Sequence, residues 1–187
     1  MHIKKIIGKR IYLSPMTGED AEKYAAFLND LEVSKGLLMS GAYLTVDGER
    51  KWLENPNPSC QDYSIIDIEK EELIGSVGLD GIDLLNSTAE LGVAIGNRDY
   101  WDKGYGAEAI GLILDYGFRR LNLHSVFLHV YSFNERAVHC YEKVGFKMAG
   151  VLRQQVQRGS KFYDRYIMDI LADEFYEKHP EFDRNKL

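Results

Sequence analysis

Trp101-Asp102-Lys103-Gly104-Tyr105-Gly106-Ala107 follows the strand-like run Ala89-Glu90-Leu91-Gly92-Val93-Ala94-Ile95 and opens a segment with Ile110, Ile113, Leu114, Gly117 and Leu121 on one helical face. Glycines between a strand and a helix let backbone N–H groups converge, and the first helical turn leaves its own N–H groups without acceptors. A phosphate or pyrophosphate is the natural occupant above such a turn, worth ~0.3–1 kcal/mol per negative charge when exposed. Lys103 would add a charge-assisted contact; the plainer alternative is a glycine turn with no ligand. Gly104-x-Gly106-x-x-Ala109 also fits a dinucleotide fingerprint, but its context does not. That fingerprint follows the first strand directly and has an acid about 20 positions on. Here eight residues separate Ile95 from Gly104, and the next strand runs out in Tyr131-Ser132-Phe133 without an acid. No Gly-Lys-Ser/Thr follows, so the turn is not a P-loop either.

Downstream, Val126 to Tyr131 reads as a strand, and Asn134 caps a helix that runs to Val144 and stops at Gly145. Ala137 and Tyr141 share a face of that helix, with Asn134 a turn earlier. A neutral Tyr hydroxyl keeps its proton at pH 7 and can donate it to a basic leaving group; a lone helical Tyr can equally be a core residue. Cys140 sits beside His139, but adjacent helical residues point about 100° apart, which argues against a nucleophile–base pair. Two last strands, Phe146 to Gln155 and Tyr163 to Leu171, flank the turn Arg158-Gly159-Ser160. The charged tail at 173–187 reads as a helix end fraying into solvent.

Upstream, Ile11 to Pro15 reads as a first strand, and Thr17 or Asp20 caps a helix with Tyr24, Phe27, Leu28 and Leu31 on one face. Residues 34–44 look irregular; Thr45 opens a second helix through Trp52 and Leu53. Strands Tyr63 to Ile68, Leu73 to Leu79 and Ala89 to Ile95 then form a meander. The order is mixed α/β in a single domain over 1–187, with its core at about 8–172.

The 187 residues carry 23 Lys+Arg against 29 Asp+Glu, a net charge of −6, and 45% are hydrophobic. Such a chain buries a core without staples, and its acidity speaks against nucleic acid and mildly for a cationic acceptor. Cys60 and Cys140 are the only cysteines, which suits a reducing cytoplasm. The basic start, Met1 to Lys5, leads into no apolar run, so neither a signal peptide nor a membrane span is expected. The five His residues show no HExxH or zinc-finger spacing, so structural or solvated histidines and no metal are expected.

The glycine turn, the strand after it and Asn134-x-x-Ala137-x-x-x-Tyr141-x-Lys143-x-Gly145-Phe146 together resemble the GNAT superfamily of acyl-CoA N-acyltransferases. Gly150 to Arg153, Gly159 and Tyr163-Asp164 are similar to the RimJ/RimL-type branch, which modifies protein N-termini. Asp115 to Phe118 through Leu121-Asn122-Leu123 is similar to bacterial spermidine N-acetyltransferases. The resemblance is specific over about Thr88 to Leu171 and implies a mostly antiparallel seven-stranded sheet, about four helices and a splayed strand pair that holds acetyl-CoA. It further implies pantetheine against Leu91 to Ile95, oxyanion-directed N–H groups at Val93 or Ile95, and pyrophosphate on the amides of Asp102 to Ala107. Tyr141 would be the general acid, Asn134 would hold pantetheine or the amine, and Lys143 would join the cofactor-binding set. Trp101 replaces the family's Gln/Arg, so one phosphate contact is expected either to be missing or to come from Arg98 or Lys103.

A base must also deprotonate the incoming ammonium, directly or through water. Glu90 is the first choice, since it opens the thioester strand and shares a face with the small Gly92 and Ala94; Asp80, Asp83 and Glu32 are weaker choices. The acceptor is a small-molecule amine or a peptide N-terminus, its groove formed by residues 33–45 and the hairpin around Gly159. Pairing into a homodimer is compatible with that branch. The rival reading is a catalytically silent acyl-CoA sensor, against which Tyr141 argues.

Overall fold

Alternation along the strands sorts side chains onto the two faces of one sheet, and two helical layers cover those faces. The computed structural model describes residues 1–37 and 43–183. The strands are β1 (Ile6–Ile7), β2 (Ile11–Pro15), β3 (Gln61–Asp67), β4 (Glu72–Asp83), β5 (Thr88–Ile95), β6 (Ser125–Tyr131), β7 (Lys147–Arg158) and β8 (Lys161–Leu171). The helices are α1 (Ala21–Asn29), α2 (Leu31–Ser34), α3 (Val46–Glu54), α4 (Tyr105–Arg120), α5 (Glu135–Val144) and α6 (Ala172–Lys178).

The sheet order is β1-β2-β3-β4-β5-β6-β8-β7, antiparallel except between β5 and β6. Among the described residues it has eight strands rather than the expected seven, and six helices rather than about four. The added strand is β1, whose Ile6 and Ile7 pair with Leu13 and Tyr12. The expected α1 face also breaks at its end. The helix stops at Asn29, Asp30 caps the short α2 through the Glu32 amide, and Leu31 is left exposed.

On one face, α4 packs Ile110, Ile113, Leu114 and Phe118 against Val77, Leu79, Ala89, Leu91 and Leu128. On the other, α1 and α3 bring Tyr24 and Leu53 onto Tyr12, Ile66 and Leu73, and the Tyr24 hydroxyl meets Ser64 Oγ at 2.8 Å. The tail departs from the frayed end expected of it. Phe175 on α6 is fully buried, with ring contacts to Phe118, Tyr176, His179 and Phe182. Aromatic residues spaced at 175, 179 and 182 give the segment an apolar stripe among its charges. Residues 184–187 of the tail, and 38–42 within the expected acceptor stretch, lie outside the described residues.

The parallel β5–β6 ladder is short: Thr88, Ala89 and Glu90 pair with Ser125, Val126 and Phe127, and the pairing ends there. Beyond it, β5 stays with β4 to Ile95 and β6 stays with β8 to Tyr131. The strands therefore separate at mid-sheet, and α4 and α5 border the gap.

Candidate active site

A cleft of about 340 Å³ occupies this gap. Val93 and Ile95 form its β5 wall, His129 and Val130 its β6 wall, and Tyr141 stands on α5 above them. The Gly96 N–H donates to Ile74 O on β4, so alternation turns the Val93 and Ile95 amides the other way, toward the side that β6 has left. The Ile95 carbonyl follows the same sense and accepts from Trp101 Nε1 at 2.7 Å.

At one end of the cleft, Gly104 takes φ +82° as the N-cap of α4, a left-handed position suited to glycine. The first-turn amides at Tyr105, Gly106 and Ala107 lack intrahelical acceptors, and all three residues line the cleft. Arg10, just before β2, braces this turn: its Nη1 donates to Lys103 O at 2.9 Å, and its guanidinium lies 4.3 Å from the Tyr105 ring centroid. Asp102 also lines the cleft, with φ +57°.

The cations differ from expectation. Lys103 Nζ donates to Asp99 O at 2.7 Å, and Lys103 is not among the residues lining the cleft. Arg98 pairs with Asp30 at 3.7 Å. Arg136, in the first turn of α5, instead stands 3.5 Å from the Trp101 ring centroid and lines the cleft with Lys143. The Trp101 indole thus carries an arginine from another helix. These amides and two cations fit a phosphate-bearing thioester in chemistry and position.

Tyr141 is 8% exposed and packs edge-on against Phe146. Burial raises its hydroxyl well above the ordinary tyrosine range, and among the described residues that hydroxyl has no hydrogen-bond partner. It is therefore a proton-bearing group facing the cleft. Burial likewise pushes the Cys140 thiol up, against a smaller opposite pull from Lys143 and Arg136, so Cys140 is held as a thiol rather than a thiolate nucleophile. Asn134 caps α5 by accepting from the Ala137 amide at 3.3 Å, and its Nδ2 would lie 2.7 Å from a Cβ added at Gly36, which also lines the cleft.

The carboxylates expected as bases are dispersed. Glu90 accepts or shares a hydrogen bond at 2.7 Å with His129 Nδ1 and does not itself line the cleft. Asp83 closes the β4–β5 turn, taking bonds from the Leu85 and Asn86 amides and from the Asn86 side chain. Glu32 lines the cleft but is ion-paired with Lys35. Asp80 lies opposite Glu90 in the β4–β5 register and is exposed.

Two features were not singled out from the sequence. One is His129 as a wall of the cleft. The other is an acidic cluster: single ligand atoms of Cys60, Asp62 and Asp80 lie within 4.8 Å of one another. Burial, then the neighbouring Asp80 charge, pushes the Asp62 carboxyl up to about 6. Asp62 opposite Gly78 and Asp80 opposite Glu90 place acids from three neighbouring strands on the face away from α4. The polar alternation Asp62-Tyr63-Ser64-Ile65 carried a signal for the first of these.

Residues 10–147 match the family model described as Acetyltransferase (GNAT) domain. An uncharacterized N-acetyltransferase, p20, of Bacillus licheniformis is 30% identical over 172 residues, 89% of this chain and 96% of that protein. A spermidine N(1)-acetyltransferase of Vibrio cholerae is 33% identical over 111 residues, 59% of this chain and 64% of that protein. The crystal structure of spermidine N-acetyltransferase from Vibrio cholerae in complex with CoA and spermine superposes with a TM-score of 0.81 at 26% identity, covering 89% of this chain and 98% of that one.

Proposed function

The chain belongs to the GNAT acetyltransferase family and is an N-acetyltransferase, and from that premise we propose that it moves an acetyl group directly from acetyl-CoA to a primary amine of a polyamine. The observation that carries the donor half is the separation of β5 from β6 beneath Tyr141, with unpaired first-turn amides of α4 at its end. In this reading Arg136, Lys143 and the amides from Asp102 to Ala107 hold the pyrophosphate. The Val93 and Ile95 N–H groups orient the thioester carbonyl and stabilise its developing negative charge. Acetyl-CoA, when bound, supplies the activated acyl group.

Tyr141 donates its proton to the departing thiolate. Its burial suits that role, because it keeps the phenol in the acid form and makes the phenolate a strong base for the next proton. Such transfer contributes roughly 10²–10⁴-fold, and alignment of the two substrates contributes more. A module that only senses acyl-CoA has no use for an unpartnered buried hydroxyl at this point.

The acceptor half rests on charge. Asp62, Asp80 and Glu90 give the face beside the cleft an anionic row that suits an extended cation with several amines. The relatives named as spermidine acetyltransferases support the same class. A peptide N-terminus is the comparison acceptor, supported by the RimJ/RimL-like segment Gly150 to Asp164. We place the enzyme, as one domain, in the cytoplasm on its two free cysteines. The test is a thiol-release assay with acetyl-CoA against polyamines, peptides and amino-sugars. Turnover highest with a polyamine is expected; turnover confined to peptides would overturn the acceptor class. No release with any amine would overturn the transferase reading.

A further inference from the structure

Glu90, the expected base, does not line the cleft; the side chain it holds does. His129 projects from β6 on the same sheet face as Glu90, because Glu90 is in register with Phe127 and His129 lies two residues on. The Nδ1–Oε1 distance is 2.7 Å, and both side chains are partly buried, at 18% and 32% exposure. A carboxylate on Nδ1 favours the tautomer with its proton there and leaves the Nε2 lone pair outward. Among the described residues Nε2 has no hydrogen-bond partner. Phe127 meets the ring edge-on at 5.8 Å and restricts its rotation.

We infer that His129 is the proton acceptor for the incoming ammonium and that Glu90 is its positioning residue. The inference rests on the acetyl-transfer reading above. In the first step, the ammonium N–H proton passes to Nε2, and the Glu90 carboxylate offsets the imidazolium charge. The neutral amine then forms its C–N bond to the thioester carbon. As the C–S bond breaks, Tyr141 gives its proton to sulfur, and the phenolate recovers a proton from the new ammonium centre. The imidazolium releases its proton to solvent, so each turnover yields one amide, one thiol and one proton.

The charged and titratable groups around His129 set what a pH profile can report. Glu90 is on β5 with Asp80 behind it, Tyr131 is on the same strand, and Arg165 and Asp169 flank its β8 partner Ile167. From across the cleft come Glu32 of α2 and its C-cap Lys35, and His139 and Tyr141 of α5. Glu90 is the one of these with a hydrogen bond to the imidazole.

The experiment compares full-length wild type, His129→Gln, His129→Ala and Glu90→Gln in the thiol-release assay from pH 5.5 to 9.5, with acetyl-CoA affinity measured by calorimetry. His129→Gln is expected to lower kcat about 100-fold, to leave acetyl-CoA affinity within about twofold, and to remove an inflection from the acid limb of kcat/KM. The acceptor's own ionisation contributes equally to all four profiles and cancels in the comparison. Glu90→Gln should cost about tenfold in kcat with acetyl-CoA affinity held within about twofold, since the ring loses the carboxylate that positions it. Added imidazole should restore part of the His129→Ala rate saturably. An unchanged kcat in His129→Gln, or a loss that keeps the limb and shows no imidazole rescue, overturns the assignment while acetyl transfer by wild type stands. Wild type inactive with every amine would overturn the transferase reading itself, and the role of His129 with it.

Discussion

Replacing Asp62 with Asn tests the acidic face through two readouts of opposite sign. The Asp62 carboxyl packs so closely on Gly78 that a Cβ there would come within 2.0 Å of Oδ1, and burial raises it from an ordinary 3.8 to about 6. A carboxyl raised on folding favours the native state while protonated, and that advantage is lost as pH rises from 3.8 through 6. That rise corresponds to an upper figure of ~3 kcal/mol. Partial exposure and screening reduce this to ~1–2 kcal/mol. Asp62→Asn is neutral at every pH, so it should gain on wild type across that window and hold the gain above about pH 7. For a chain of this size the gain is about 2–8 °C in Tm. Thermal unfolding of both proteins from pH 4.5 to 8 measures it. A Tm difference that is flat with pH, or that turns against the variant as pH rises, would refute a destabilising buried charge. The same substitution removes one anion from the proposed acceptor face. KM for a polyamine should therefore rise about 3–10-fold at pH 8 while acetyl-CoA affinity holds, the magnitude of one partly screened ion pair at ~0.7–1.4 kcal/mol. Together these outcomes describe a group retained at a cost to stability.

Tyr141→Phe should lower kcat by about 10²–10⁴-fold with acetyl-CoA affinity almost unchanged, measured by thiol release and calorimetry; equal turnover would remove the general-acid role. Arg136→Ala should weaken acetyl-CoA about 10–150-fold, the scale of one charge-assisted hydrogen bond to phosphate at ~1.5–3 kcal/mol, whereas Lys103→Ala should stay within about twofold. The reverse order in calorimetry would return the phosphate contact to Lys103. Phe175→Ala should destabilise by ~3–5 kcal/mol in urea unfolding, because its fully buried ring leaves a cavity between α6 and α4. A change below about 0.5 kcal/mol would mean that the tail frays after all.

The elements that the sequence made legible are those whose information is local. Thr45 and Asn134 cap α3 and α5 as expected, since a cap needs only its own side chain and an amide two or three residues on. The strands from Tyr63 to Ile95 show in alternation, whereas Ile6–Ile7 is too short for a period to exist and becomes a strand only through β2. The tail illustrates a different failure. Its charges dominate a composition reading, yet Phe175 is placed by its spacing to positions 179 and 182, and spacing decides which side of a helix meets the core.

At the candidate site the division is the same but sharper. Alternation says which face of its strand a residue occupies, and it placed Glu90 beside Gly92 and Ala94. It says nothing of the register between strands distant in sequence. Glu90 and His129 are 39 residues apart, and they meet only because a three-residue parallel ladder sets Glu90 against Phe127 before the strands diverge. One residue of slip would put His129 on the α4 side, where Val126, Leu128 and Val130 belong, so the hydrophobic core enforces the register that brings the pair together. The same reasoning applies to the missing phosphate contact. A search for a cation near Trp101 in sequence finds Arg98 and Lys103, yet Asp30 and the Asp99 carbonyl occupy them. Arg136 reaches the indole because α5 returns beside α4 after β6. A core built to bury Tyr141 and Val144 thereby also delivers a guanidinium to the glycine turn. Packing and ligand binding are thus set by one docking angle, so enlarging a side chain between α4 and α5 should disturb acetyl-CoA affinity even without touching the cleft.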